Sequence, residues 1–305
     1  MRTGFDMKTA LTYLVILGMV ILILSLIPIR SDQVWEPAVI IPITAILFTL
    51  LIYLLCEIAC TGERPAWIFF TAFFMLVFFP GASTFFQLDE ASVIELGSQC
   101  IVPFFIGQYN RVSQREFRRW YMLMLLMGIF CSYTHDGITI PLCAGFICMA
   151  FLNRDRFFRS GCWPMVVGFL IGTGVSVWQA YNKGISEPPS DIETLTSRTT
   201  MAFQILWDTK VFLLSVALTG YLSLSLWGRK LLLQTARDQS LLACCAVFSV
   251  CTLPFAPLGL ENAVTGVCFF AMMWVLCVGR SMALRFNKRQ NDKQTIKHNQ
   301  DEIEI

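Results

Sequence analysis

Long apolar runs recur along almost the whole chain, and they constrain its fold more than any other feature of the sequence. A transmembrane helix needs about 20 predominantly apolar residues to cross the hydrocarbon core. Nine segments of this kind stand out: residues 9–29, 37–56, 65–79, 120–133, 138–152, 161–181, 211–227, 240–255 and 262–279. We therefore predict an all-α, polytopic integral membrane protein.

The composition supports this assignment. Hydrophobic residues make up 56% of the chain and charged residues only 14%, whereas soluble proteins average about 25% charged residues. The mean hydropathy is +0.63, which excludes a disordered chain and a disulfide-stapled secreted domain. A formal net charge of +2 gives no reason to expect nucleic acid. The partner that the composition requires is the lipid bilayer.

The distribution of basic residues predicts the number of spans. Lys and Arg in short loops stay preferentially in the cytoplasm. If the weaker segment 91–109 also spans, ten spans place 19 of the 23 Lys and Arg on one side. Without that segment, the arginine cluster at 111–119 and every later loop would change sides. We therefore predict about ten spans with both termini in the cytoplasm.

The spans form one predicted domain. Residues 1–284 make a single transmembrane domain, and residues 285–305 form a polar cytoplasmic tail, which suits either anionic headgroups or water. The first apolar run follows Arg2 and Lys8 as a signal peptide would. Its length and the lack of a small-x-small site predict an uncleaved first span.

Two further elements are expected within this domain. Residues 134–137, Thr-His-Asp-Gly, interrupt the apolar block 120–152 and predict a hairpin whose tip lies at one membrane face. Ser190 and Glu193 have the spacing of a helix capping box. Apolar residues follow at helical spacing, so we predict a helix in the outer interface over 190–207, with a partly ordered loop as the alternative.

Twelve cysteines raise the question of a metal or disulfide site. None forms a C-x-x-C pair, and neither histidine lies near a cysteine pair in the sequence, whereas a zinc site needs about four converging ligands. We predict unpaired thiols packed between helices. Gly168 and Gly172, one turn apart, similarly predict a close helix–helix contact.

Acidic residues gather on the outer side of the predicted topology. They come from loops after the first, third, fifth and ninth spans: Asp32, Glu36, Asp89, Glu90, Glu95, Asp136 and Glu261, with His135 beside Asp136. Polar groups at the hydrocarbon boundary are costly unless they are paired. A neutral histidine exchanges a proton near pH 7, and an adjacent carboxylate can bind a cation. No Asp, Lys or Arg lies mid-span, which argues against a proton-coupled pump.

A simpler interpretation of the same residues stays open. His135 and Asp136 would then form a polar turn that caps the next helix, and Asp32 would be a solvated loop acid beside Arg30.

The layout resembles membrane glycosyltransferases of the GT-C type, which depend on polyprenyl-phosphate sugars, and their uncharacterised bacterial relatives. The similarity rests on Ser31-Asp32 directly after the first span, on the external region 87–103 entering a short span, and on the acidic hairpin at 132–137. Gln33 stands where such relatives often have a second acid. The resemblance implies a multi-pass protein of the bacterial inner (plasma) membrane that transfers a lipid-linked sugar at the outer leaflet, in cell-envelope glycan assembly.

The resemblance also implies roles for these residues. Asp32 would act as the general base on the acceptor hydroxyl, with His135 and Asp136 completing the catalytic group. Asp89, Glu90 or Asp136 would bind a divalent cation, Mg²⁺ or Mn²⁺, or a second substrate. His135 or Arg198 would neutralise the donor phosphate.

Two other function classes stay open. A transporter or lipid flippase would have a polar cavity and broken helices, and Pro141, Pro254 and Pro257 near span ends are the sequence features that favour it. A non-catalytic membrane protein would use the outer acids only to solvate its loops. Conservative replacement of Asp32 separates an enzyme from the last class.

Overall fold

The computed structural model describes residues 7–25, 37–59, 65–78, 90–112, 121–132, 136–152, 162–182, 192–253 and 260–303. Every regular element within these ranges is helical, which confirms the all-α prediction. The helices of the described ranges are α1 (Met7–Ser25), α2 (Pro37–Ile58), α3 (Pro65–Phe78), α4 (Glu90–Val112), α5 (Tyr121–Ser132), α6 (Asp136–Leu152), α7 (Trp163–Asn182), α8 (Ile192–Asp208), α9 (Lys210–Leu224), α10 (Leu226–Asp238), α11 (Ser240–Cys251) and α12 (Leu260–Ile303).

Each of the ten segments that the sequence marks as spans overlaps one of these helices: α1 to α7, α9, α11 and α12. By length and composition, two described stretches are able to cross a membrane, Ala38–Ile58 and Ala263–Phe286, or three if α8 and α9 together form one bent span. Five other described stretches are apolar but shorter: Thr9–Ser25, Pro65–Val77, Tyr121–Ser132, Gly137–Leu152 and Ser240–Cys251. These apolar helices are compatible with a membrane protein.

The helix predicted over 190–207 is present as α8. It is followed at Thr209 by α9, and the two axes differ by 83°. The predicted span 211–227 ends earlier than expected, because the helix breaks at Ser225 and a separate helix, α10, begins there. The Ser225 hydroxyl accepts a hydrogen bond from the backbone N–H of Gly228 at 3.0 Å, so Ser225 is the N-cap of α10. The predicted tail from 285 onward continues α12 without a break to Ile303.

α5 and α7 touch backbone to backbone, which confirms the close contact predicted from Gly168 and Gly172. A Cβ on Gly168 would collide with the carbonyl oxygen of Leu125, and one on Gly172 would collide with Ile129 and with the Ser132 hydroxyl. Because both contacts advance in the same sense along both helices, α5 and α7 run parallel. Close backbone approach of this kind is a main source of helix association in lipid.

α4 packs against α7 through aromatic rings. The rings of Phe105 and Phe169 are stacked with their centroids 4.6 Å apart, and both side chains are fully buried. Farther along α4, the carbonyl oxygen of Tyr109 lies 3.8 Å from the Cys162 sulfur, which precedes α7. Moving forward along α4 therefore means moving backward along α7, and the two helices are antiparallel.

α6 packs against α7 in the same sense. The Phe146 ring lies edge-on to Phe169 at 5.9 Å, and the Cys143 thiol donates to the Thr173 hydroxyl at 3.2 Å. α6 is therefore antiparallel to α7, parallel to α4 and opposite in direction to α5. α5 ends at Ser132 and α6 begins at Asp136, and the opposite directions of these consecutive helices agree with the predicted hairpin.

α9 runs parallel to α12. Near the start of α9, Phe212 packs on the cluster that contains Val267. Two turns later, the Thr219 hydroxyl accepts a hydrogen bond from the Trp274 indole N–H at 3.0 Å. α10 then covers the next turns of α12, and Gly279 of α12 contacts the Trp67 ring at the start of α3.

Candidate functional site

The structure describes only part of the set of site residues predicted from the sequence. Three of them lie outside the described residues: Asp32, Asp89 and His135. Glu90 and Asp136 are the first residues of α4 and α6, so their backbone positions are known. Arg198 lies on α8 and is half-buried.

Glu90 and Asp136 lie at the same end of the bundle, because α4 and α6 are parallel and both contribute a ring to the aromatic cluster of Phe105, Phe146 and Phe169. Glu90 precedes Phe105 by 15 residues and Asp136 precedes Phe146 by 10 residues. At about 1.5 Å per residue, both helix starts lie about 15–23 Å from the cluster in the same direction. We call this the Asp136 end. Two helix N-termini there carry partial positive charge, which favours carboxylates and phosphates nearby.

α12 crosses α6 immediately beside Asp136. A Cβ on Gly266 would overlap the carbonyl group of Gly137, so the two backbones are in contact. Gly137 and Ile138 are buried. The start of α6 is thereby held against the first turns of α12, whose own first turn carries Glu261.

α8 packs across the same stretch of α12. Its residues Ala202 and Leu206 form a buried cluster with Val264 and Cys268. Arg198 precedes Ala202 by one helical turn and therefore lies on the same face of α8. The structure thus brings the helix that carries Arg198 onto the segment of α12 that contacts the start of α6.

Polar side chains are buried at several positions in the bundle. Among the side chains that the structure describes, the buried polar ones are threonines, serines and Gln99. The hydroxyl of Thr139, one turn inside from Asp136, has no hydrogen-bond partner among the described residues. A buried hydroxyl left unpaired costs about 1–3 kcal/mol. Thr139 therefore marks a position where a water molecule or a ligand oxygen would stabilise the structure.

The cysteines offer no metal site in the described part of the chain. None of the eleven described cysteines is joined to another by a disulfide bond. The sulfurs of Cys148 on α6 and Cys244 on α11 are 3.7 Å apart. Among the described side chains, no three His, Cys, Asp or Glu residues converge on a site for a metal ion. The Mg²⁺ or Mn²⁺ site stays a prediction, since its acids are not among those side chains.

Sequence reasoning missed two features of the structure. Thr139 was not recognised because a threonine inside an apolar run ordinarily bonds to its own helix. α10 was not predicted, although Gly228, Leu231 and Thr235 recur at helical spacing and are all buried.

The chain matches no protein-family model, no curated protein and no solved structure.

Proposed function

We propose that the chain is a ten-span membrane protein with both termini in the cytoplasm and the Asp136 end at the outer surface. Basic side chains support this orientation. Arg198 and Lys210 flank the Asp136 end, on either side of the bend between α8 and α9. The part of α12 from residue 280 onward and the adjoining α10 carry nine bases: Arg229, Lys230, Arg237, Arg280, Arg285, Lys288, Arg289, Lys293 and Lys297. The positive-inside rule puts the larger group in the cytoplasm.

Within this topology, we propose a GT-C-like glycosyltransferase that acts at the outer leaflet of a bacterial inner membrane on a lipid-linked sugar, in cell-envelope polysaccharide or glycan assembly. The observation that supports it is the crossing of α6 and α12 at Gly137 and Gly266, with α8 packed over the same stretch of α12. A carboxylate-bearing helix start and a guanidinium-bearing helix thus converge on one segment. Those are the groups that a cation and a lipid phosphate need.

The proposed chemistry divides the reaction among a base, a cation site and a group that contacts the phosphate. The Asp32 carboxylate accepts the proton of the acceptor hydroxyl as that oxygen bonds to the anomeric carbon of the sugar. The bond from that carbon to the phosphate oxygen breaks, and the polyprenyl phosphate leaves. Asp136 with Glu90 or Asp89 would hold a divalent cation that offsets the charge of the leaving phosphate, and His135 or Arg198 would contact the same phosphate.

Binding and transfer are tested separately. The purified full-length protein in lipid nanodiscs is titrated with a set of radiolabelled polyprenyl-phosphate sugars, and transfer to added acceptor glycans is followed. Asp136→Asn and Arg198→Gln should weaken donor binding. Asp32→Asn should abolish transfer and leave donor binding intact. Matched controls make the same charge changes away from the proposed site: Asp238→Asn on α10 and Arg280→Gln on α12. Equal effects of site and control variants would contradict the proposal.

A transporter or lipid flippase is the second candidate. Prolines lie inside α2, α4 and α6 at Pro42, Pro103 and Pro141. Each removes a backbone hydrogen bond, and broken helices often line transport paths. The other prolines that favour this class, Pro254 and Pro257, lie outside the described residues. A flippase would move a fluorescent polyprenyl phosphate between leaflets and would keep that activity in Asp32→Asn, whereas a non-catalytic membrane protein would show neither activity.

A further inference from the structure

α10 has one face that packs on the bundle. Its buried residues are Gly228, Leu231 and Thr235. A Cβ on Gly228 would collide with the carbonyl group of Leu222 at the end of α9, and Leu231 belongs to a buried cluster with Val278 of α12. This face is therefore fully used by contacts within the chain.

The opposite face of α10 combines leucines with bases. Leu226, Lys230, Leu233 and Arg237 occupy positions i, i+4, i+7 and i+11, which fall within a stripe about 60° wide at about 100° per residue. Leu226 is 77% exposed and Leu233 is 72% exposed, and both bases are exposed as well. Two exposed leucines in line with two bases are typical of neither a water-facing helix nor a helix surrounded by lipid.

Contacts at both ends hold this face outward. At the start of α10, the Arg229 side-chain N–H donates to the carbonyl oxygen of Ser223 at 2.6 Å, across the break from α9. Toward the end of α10, Gln234 accepts a hydrogen bond from Arg285 of α12. Because α10 is tied to α9 and α12, it lies beside the end of α9 and beside the stretch of α12 where the apolar sequence gives way to polar residues.

We propose that this stripe of α10 binds the anionic phospholipids of the leaflet at this end, which is the cytoplasmic leaflet if the proposed topology holds. Leu226 and Leu233 would enter the boundary between acyl chains and headgroups, which removes their apolar surface from water. Lys230 and Arg237 would extend their aliphatic stems along the same surface and place their charges at the lipid phosphates. Charge complementarity thus favours an anionic lipid surface over a neutral one.

The experiment places an environment-sensitive fluorescent amino acid at Leu233 of the full-length protein, with the same probe at the exposed Asp238 as the matched control position. Nanodiscs contain phosphatidylcholine alone or phosphatidylcholine with phosphatidylglycerol, and brominated chains or aqueous iodide serve as quenchers. With phosphatidylglycerol, the probe at 233 should be blue-shifted, quenched by bromine and protected from iodide. Each neutralisation, Lys230→Gln or Arg237→Gln, should lower the preference for phosphatidylglycerol about fivefold, which corresponds to the attraction of one base for an anionic surface.

Three results would overturn the proposal. Equal iodide access at 233 and 238 would mean that the stripe faces water. Protection from both quenchers would mean that another protein surface covers it. Bromine quenching without any dependence on phosphatidylglycerol would contradict the role of the bases. Failure of this proposal can be distinguished from failure of the proposed function, because Asp136→Asn should leave the fluorescence and quenching of the probe at 233 unchanged.

Discussion

Gly266 of α12 lies in backbone contact with Gly137, the residue that follows Asp136 at the start of α6. Glycine at position 266 is what allows this approach, because a Cβ there would overlap the Gly137 carbonyl group. The contact fixes a helix start that carries a carboxylate against the part of α12 that also receives α8. The position of Asp136 relative to α8 therefore depends on one close crossing.

Replacing Gly266 with alanine should destabilise the protein, because the added methyl group forces α6 and α12 apart. Overpacking of this kind costs about 1–3 kcal/mol. Thermal unfolding of the purified protein in detergent measures the effect. Gly220→Ala is the matched control, since a Cβ at Gly220 meets nothing within 4 Å. An unchanged melting temperature in Gly266→Ala would contradict the crossing.

Gly168→Ala and Gly172→Ala should each destabilise the α5–α7 pair, because the new Cβ would meet the backbone of α5. Gly174→Ala lies on the same helix with open space around its Cβ, and it should be neutral or slightly stabilising. Size-exclusion profiles after a heating series compare the three variants. If Gly174→Ala proves as harmful as the other two, the loss of stability does not come from the contact between α5 and α7.

The sequence predicted helix positions better than helix ends. The Thr-His-Asp-Gly stretch located the break between α5 and α6, because turn-forming and polar residues stand out in an apolar block. The capping-box spacing at Ser190 and Glu193 likewise located α8. The end of α9 was missed, since Leu226 and Trp227 continue the apolar run while the Ser225 cap ends the helix. Hydropathy averages over a window and does not register a single capping residue.

The sequence predicted which residues form the candidate site, but it predicted their positions in the fold only in part. Loop charges predicted that Glu90 and Asp136 share one face, and the parallel directions of α4 and α6 agree with this. The crossing of α6 and α12 was not predictable, because Gly137 and Gly266 are far apart in the sequence and neither belongs to a glycine pair at helical spacing. Contacts between distant helices depend on packing that no local pattern encodes.

The cysteines should remain thiols in the native protein, because they lie within packed helices. Non-reducing alkylation followed by mass spectrometry should recover free thiols. In a separate sample that has not been alkylated, copper phenanthroline should join Cys148 to Cys244, whose sulfurs are 3.7 Å apart, and Cys148→Ser should prevent this link. A native disulfide would contradict the thiol prediction, and the lack of an oxidative link between these two residues would contradict the packing of α6 on α11.

The proposed topology predicts opposite labelling on two sides of the membrane. Reporter fusions after Asn110 should be cytoplasmic and those after Lys183 should be external, because the charge bias assigns the end of α4 to the inside and the end of α7 to the outside. The antiparallel packing of α4 and α7 places the ends of these two helices at opposite ends of the bundle, in agreement with this assignment. An external reporter after Asn110 would reject the ten-span count.

The distance from the Asp32 carboxyl group to the Asp136 carboxyl group tests the proposed outer site most directly. A cryo-electron microscopy map of the full-length protein in nanodiscs, with a bound antibody fragment for alignment, would measure it. The proposal predicts a separation of at most about 10 Å, which a divalent cation and a lipid phosphate can bridge. Asp32 in contact with water only, and much farther than that from Asp136, would contradict the glycosyltransferase proposal.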